Sequence, residues 1–295
     1  MKGGLMTRWL LMILAVGVAL WVSPSRGLAD EPPAAAQMPQ VTSEARLWAV
    51  LRLDELMPTL QAEALGQADE MAQMLFERGS DAGWVEGVAA IHQPQRLAGL
   101  LRSGMQAALD DRSQASLEEA IAFYATTLGQ QIIELDLAGR RAMLDSDTEA
   151  GAIQAYRDAQ SIEAPRLAQI NHLLDGTDLI EQNVASGLNA ALAFAQGFRD
   201  AGGYQVPMSE AEILADTWAR EDEIRLQTRE WVTAYLYLSY APLTTDELGA
   251  FIDFATSDAG AVLWDVQMAG FDHLYETTSY EMGQAAALHI SGQQL

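Results

Sequence analysis

Residues 244–270 read TTDELGAFIDFATSDAGAVLWDVQMAG, two helices joined by almost no loop. Leu248, Phe251, Ile252 and Ala255 recur at helical spacing and give the first helix a wide apolar face. Thr244, with Glu247 three residues on, forms a capping-box start in which each side chain serves a backbone amide of the other residue. Ser257 ends the first helix and caps the second. Asp258 then takes the second helix's first position, where a carboxylate suits the exposed amides. Gly260 falls in the same turn, and its missing Cβ lets two helix backbones approach closely at the elbow.

The pattern occurs once more, 131 residues earlier. Leu117 falls on Leu248, Ile121 on Ile252, Phe123 on Phe254, Gly129 on Gly260, and Ala138-Gly139 on Ala269-Gly270, six identities in 23 ungapped positions. Thr126 faces Ser257, Ile132 faces Leu263 and Glu134 faces Asp265. Helical composition alone yields matches among Leu, Ile and Ala, but paired Phe and Gly at fixed distance point to an internal duplication. The structural elbow residues are therefore Phe123, Thr126 and Gly129 in one copy and Phe254, Ser257 and Gly260 in the other.

This F-x-x-(S/T)-x-x-G elbow, behind a capped helix with Leu and Ile four apart, resembles the signature of the bacterial domain of unknown function 2059 family. Residues 166–188, RLAQINHLLDGTDLIEQNVASGL, resemble that family's opening helix pair, and residues 46–65 a shorter version of it. The family usually carries proline after the Ser/Thr, where this chain has Asp258 and Thr127. The resemblance implies a secreted helical protein of a Gram-negative bacterium. It supplies no activity and no catalytic residue.

The chain begins as an export signal would. Lys2 and Arg8 precede a 14-residue apolar run, residues 9–22, and Gly27-Leu28-Ala29 offers small residues for cleavage before Asp30. The run falls short of the roughly 20 residues that span a bilayer. The expectation is a signal peptide over 1–29, a Pro/Ala-rich linker over 30–42, a periplasmic location and no stable membrane span after cleavage. No cysteine is present, which excludes disulfides and a lipoprotein cleavage site. Cleavage would remove 3 of 17 basic residues and none of 41 acidic ones, taking the net charge from −24 to −27. Such a chain is repelled by nucleic acid and by anionic membrane surfaces.

The rest reads as helices throughout, an all-α array of two similar halves, 43–145 and 146–295, each ending in an elbow. Helices are expected at 43–57, with Pro58 breaking it or starting the next, then at 59–78, 84–92 and 94–109. Ser116 with Glu119 is expected to cap the helix entering the first elbow. In the second half the pattern gives 149–174, disturbed at Pro165, then 178–199, a helix capped by Ser209 and Glu212 that continues to 240, and a closing helix over 262–275 with a helical tail. Residues 231–240, WVTAYLYLSY, have strand-like composition. They lack a partner strand and continue a helical pattern, so a buried helix is expected.

Chemistry is sparse. His92, His172, His273 and His289 show no metal-ligand spacing, and no Walker loop, GxSxG or HExxH is present. No catalytic residue, cofactor site or metal site is assigned. Glu134 and Asp265, equivalent in the two elbows, read either as an acid pair or as solvent-facing residues. Arg140-Arg141 reads as an anion receiver or as partners for nearby acids. Phe123, Tyr124, Phe254 and Trp264 read as core packing or as a groove, with Tyr124 and Trp264 its binding candidates. Two function classes follow. One is a non-catalytic periplasmic protein that binds an unknown envelope partner or ligand. The alternative is an envelope hydrolase acting on glycan or peptide through helix-borne carboxylates, which requires a buried acid of raised pKa and a second carboxyl about 5–9 Å away.

Overall fold

A computed structural model of the chain describes residues 42–109 and 113–293. The expected signal peptide and all but the last residue of the expected linker lie outside the described residues. Among the described residues every regular element is helical: α1 Ser43–Val50, α2 Leu53–Leu75, α3 Ala82–Ile91, α4 Pro94–Ala108, α5 Ser113–Tyr124, α6 Thr127–Ala142, α7 Ser146–Ser161, α8 Pro165–Gly176, α9 Leu179–Asp200, α10 Glu210–Trp218, α11 Glu221–Ser239, α12 Thr245–Ala255 and α13 Asp258–Gln293. The all-α reading holds. None of these helices is long and apolar enough to cross a membrane.

Several boundaries differ from the sequence reading, each for a local reason. Pro58 lies inside α2, and the break comes earlier, at Leu51 and Arg52. Arg52 is left-handed, with φ of 52°. Its buried guanidinium donates to both carboxylate oxygens of Glu55, at 2.9 and 3.1 Å, and to Glu134 at 3.4 Å. These bonds hold a backbone conformation that residues other than glycine seldom adopt. The expected 149–174 helix is cut by left-handed Glu163 (φ 52°), with Pro165 opening α8, where its missing N–H costs nothing. The helix expected to run from Ser209 to 240 stops after Trp218. A new one starts with Glu221, Asp222 and Glu223 in its first turn, an acidic start signal inside a continuous apolar pattern. Ser116 sits within the first turns of α5 rather than ahead of it. The closing helix and its tail are one element, α13, which at 1.5 Å per residue is about 54 Å long.

α13 is the spine. Its backbone touches its neighbours directly where glycines remove the side chains. A Cβ on Gly104 of α4 would lie 2.5 Å from the Ala269 carbonyl oxygen; one on Gly197 of α9 would lie 1.9 Å from that of Tyr280; one on Gly283 would lie 2.0 Å from that of Phe194. The main core runs from Leu47 to Leu274 and draws on both sides of Asp145, so the expected halves share one interior. A smaller cluster of Met71, Phe76, Trp84, Val88 and Met282 gathers toward the C-terminal end of α13. Residues 231–239 belong to α11 and are buried on nearly every side, as a helix and not a strand.

Candidate functional site

The two elbows make the same bonds. The Thr126 hydroxyl donates to the Phe123 carbonyl at 2.7 Å and accepts from the Gly129 amide at 3.0 Å. The Ser257 hydroxyl donates to the Phe254 carbonyl at 2.6 Å and accepts from the Gly260 amide at 3.2 Å. In each, a glycine Cβ would lie within 2.4 Å of the phenylalanine carbonyl oxygen: 2.4 Å at Gly129 and 2.3 Å at Gly260. Only hydrogen fits there. The capping box of Thr244 and Glu247 forms as the spacing predicts, and so does that of Ser209 and Glu212.

The two elbow phenylalanines meet each other. The Phe123 and Phe254 rings stack with centroids 3.8 Å apart and planes within 3°, and Tyr124 stands edge-on to both. These rings fill the space that an open groove would need. What remains is a cavity of about 50 Å³ lined by Tyr124, Asp136, Tyr240, Phe254, Trp264 and Gln267, among others. That volume holds a few waters. Tyr124 and Trp264, the groove candidates, thus face a void too small for a sugar ring or a peptide.

Asp136 is the residue the sequence reading missed. It is 4% exposed. The Tyr235 hydroxyl donates to its main-chain oxygen at 2.9 Å, and Tyr240 and Tyr235 hydrogen-bond its carboxyl group. Burial pushes that carboxyl well above the usual range against the pull of these hydroxyls. Asp136 lies seven residues past Gly129, and Gln267, on the opposite wall, lies seven past Gly260. The 131-residue register pairs them, and a polar residue on an apolar stripe was the available signal. No second carboxyl lines the cavity.

The other sequence candidates are either bound to ordinary partners or exposed. Arg140 is 2% exposed and clasps Glu63 through two bonds, at 2.7 and 2.9 Å, so it is committed to an internal ion pair rather than to a ligand anion. Burial opposes the Arg140 cation, but the charge and hydrogen bonds of Glu63, together with Tyr275 and Tyr235, outweigh it and keep Arg140 charged. Arg141 is exposed. Glu134 is exposed and pairs with Arg52, and Asp265 is exposed. His92 hydrogen-bonds its own helix at the Val88 carbonyl, and His289 packs tilted against Phe76 and approaches Asp81 at 3.4 Å. Among the described residues no group of three or more His, Cys, Asp and Glu side chains is placed to hold a metal. Arg225 pairs with Glu221 one turn back and also with Glu181.

A much larger pocket lies elsewhere, between α2, α9, α10 and α13. Its volume is about 360 Å³, within the roughly 300–1,000 Å³ of small-molecule sites. Met71, Met74 and Leu75 of α2 form one wall; Ala190, Ala191, Phe194, Ala195 and Phe198 of α9 form another. The alanines leave the space, and the unbranched methionines adapt to what enters it. Phe194 and Phe198 stack at 6.2 Å, and Tyr204 stands edge-on to Phe198 at 5.0 Å. The loop after α9 carries Tyr204 and Met208 to the pocket. It turns at Gly202, whose φ of 76° suits glycine. Gly203 then lies flat on the Phe198 ring. Polar groups come mainly from α10 and its end: Asp216, Thr217 and Arg220, with Asp216 and Arg220 paired at 2.9 Å. Burial, then the Asp216 charge, raises the Tyr204 hydroxyl's pKa. The parts come from helices far apart in sequence, and no motif marks them.

Comparison with protein families, with curated proteins and with solved structures finds no match for this chain.

Proposed function

We propose that this chain is a non-catalytic periplasmic protein that binds an envelope ligand in the pocket between α2, α9, α10 and α13. The observation that carries the reading is the pocket itself: about 360 Å³ walled by Met71, Met74, Phe194 and Phe198, with a few polar groups on one side. Apolar walls supply affinity by removing hydrocarbon from water, and sparse polar groups set orientation. Export is supported by the positive start, the 14-residue apolar run and the small residues before Asp30. A duplication is supported by the matched bonds of the two elbows; membership of the domain of unknown function 2059 family is supported by sequence alone, in the F-x-x-(S/T)-x-x-G elbow. The hydrolase alternative needs a carboxyl of raised pKa, and burial raises those of Asp136, Glu63, Asp272 and Glu276. Asp136 faces space for a few waters with no second carboxyl beside it, Glu63 is bound by Arg140, and Asp272 and Glu276 line neither of the two cavities described above.

The test is a fluorescence titration of the mature protein with a neutral apolar dye, 1-aminoanthracene. Saturable one-to-one binding, abolished by Ala195→Trp in a variant that still melts cooperatively, is the expected result. Absence of saturable binding, or binding unchanged by Ala195→Trp, overturns the proposal.

A further inference from the structure

We infer that the ligand of this pocket is a long-chain carboxylic acid, its chain lying between α2 and α9 and its carboxylate received by Arg220; this rests on the binding reading above. The division of the lining leads there. The walls from α2 and α9 are Met, Leu, Phe and Ala side chains, without a charged group, and suit an unbranched hydrocarbon. The charged groups lie together on the α10 side. Arg220 is the one cation among the lining residues, in a chain with 17 Lys and Arg against 41 Asp and Glu. A guanidinium presents a planar fork that matches a carboxylate in two parallel bonds.

Arg220 is held one helical turn from Asp216, and the side chains are 42% and 60% exposed. An ion pair this exposed contributes little. A ligand carboxylate can therefore compete with the Asp216 carboxylate for the guanidinium, and chain burial favours the ligand. The other polar neighbour is Tyr204, which lines the pocket beside the pair and lies within the electrostatic reach of Asp216, Arg220 and Arg199. Arg199 is itself engaged by Asp200, which also accepts from the Tyr280 hydroxyl. Arg220, unlike Arg199, lines the pocket, and so is the cation that an acid head group there would meet.

The experiment is displacement of bound 1-aminoanthracene from the mature protein by dodecanoate, dodecanol and dodecyltrimethylammonium. Dodecanoate is expected to displace the dye at a concentration lower by about tenfold than either of the others, the value of one charge-assisted hydrogen bond. Arg220→Gln should abolish that preference, weakening dodecanoate by about tenfold more than it weakens dodecanol. Asp216→Asn, which removes the competing carboxylate, should tighten dodecanoate binding by up to about fivefold. It also provides a second readout should Arg220→Gln fail to fold. Equal displacement by acid and alcohol, or a preference that survives Arg220→Gln, overturns the carboxylic acid while leaving an apolar site intact. Failure of the dye to bind at all removes the binding reading, and the ligand class with it.

Discussion

Two cavities in this molecule are lined by aromatic side chains, and they differ in almost everything else. The one between the elbows is about 50 Å³ and is walled by Asp136, Tyr240, Gln267 and Phe254, whose ring stacks face to face on Phe123. The one beside α10 is about 360 Å³, with Met71, Met74 and Met208 at its surface. The first is a packed joint. Its glycines admit no Cβ, its hydroxyls are spent on caps, and its charged neighbours Arg140 and Glu63 satisfy each other. The second is built of residues that leave space or adapt to it. Aromatic content alone does not mark a binding site; what decides is whether the rings contact one another or leave a volume between them.

The largest expected effect is in the joint. Gly260→Ala and Gly129→Ala each force a Cβ to within 2.4 Å of a carbonyl oxygen. Each should cost about 3 kcal/mol, the upper range for overpacking. Urea denaturation checks this. If either substitution is neutral, the elbows are looser than described and the contrast with the pocket weakens.

Asp136 gives the next effect. Above its ordinary value of 3.8 the unfolded chain ionises this carboxyl while the folded chain keeps its proton. The folded state then binds more protons, so this group's contribution is full at low pH and is lost as pH rises toward the folded pKa. The slope is at most about 1.4 kcal/mol per pH unit. Asp136→Asn removes the ionisation and should gain on the wild type as pH rises from 4 to 8 in parallel denaturation series. Parallel curves would show that Asp136 is not held neutral.

The smallest expected effect on stability is on the pocket wall. Met74 is 38% exposed, and Met74→Ala should change stability by about 0.5 kcal/mol or less, as at other surface positions. The same substitution should weaken 1-aminoanthracene binding. A large loss of stability would make this wall part of the core.

Much of the fold was legible because helix starts and elbows are local. Thr244 with Glu247, Ser209 with Glu212, and the hydroxyl–glycine pairs of both elbows act within four residues, so their spacing is their mechanism. Of the misplaced boundaries, those at Glu163–Pro165 and Glu221–Glu223 have local causes that a continuous apolar pattern hid, while the one at Arg52 also has a tertiary partner. Arg52 turns the chain because Glu55 and the distant Glu134 hold it, and no window around Leu51 contains Glu134. Asp136 was within reach, since the 131-residue register sets it against Gln267. The pocket was not. Met71, Ala195, Met208 and Arg220 are ordinary residues on four segments, and their vicinity to one another is created by α13 packing closely against α9 through Gly197 and Gly283. A site made of volume rather than of a motif leaves no spacing to read.

The central claim is that the ligand enters the α10 pocket and leaves the elbow joint untouched. Methionine methyl NMR tests it most directly, because the side chains divide cleanly. Met71, Met74 and Met208 line the pocket, while Met57, Met105 and Met268 lie in the main core. On titration with dodecanoate or 1-aminoanthracene, the methyl signals of Met71, Met74 and Met208 should shift to saturation while those of Met57, Met105 and Met268 stay in place. Shifts confined to the core methionines, or none at all, would contradict the account.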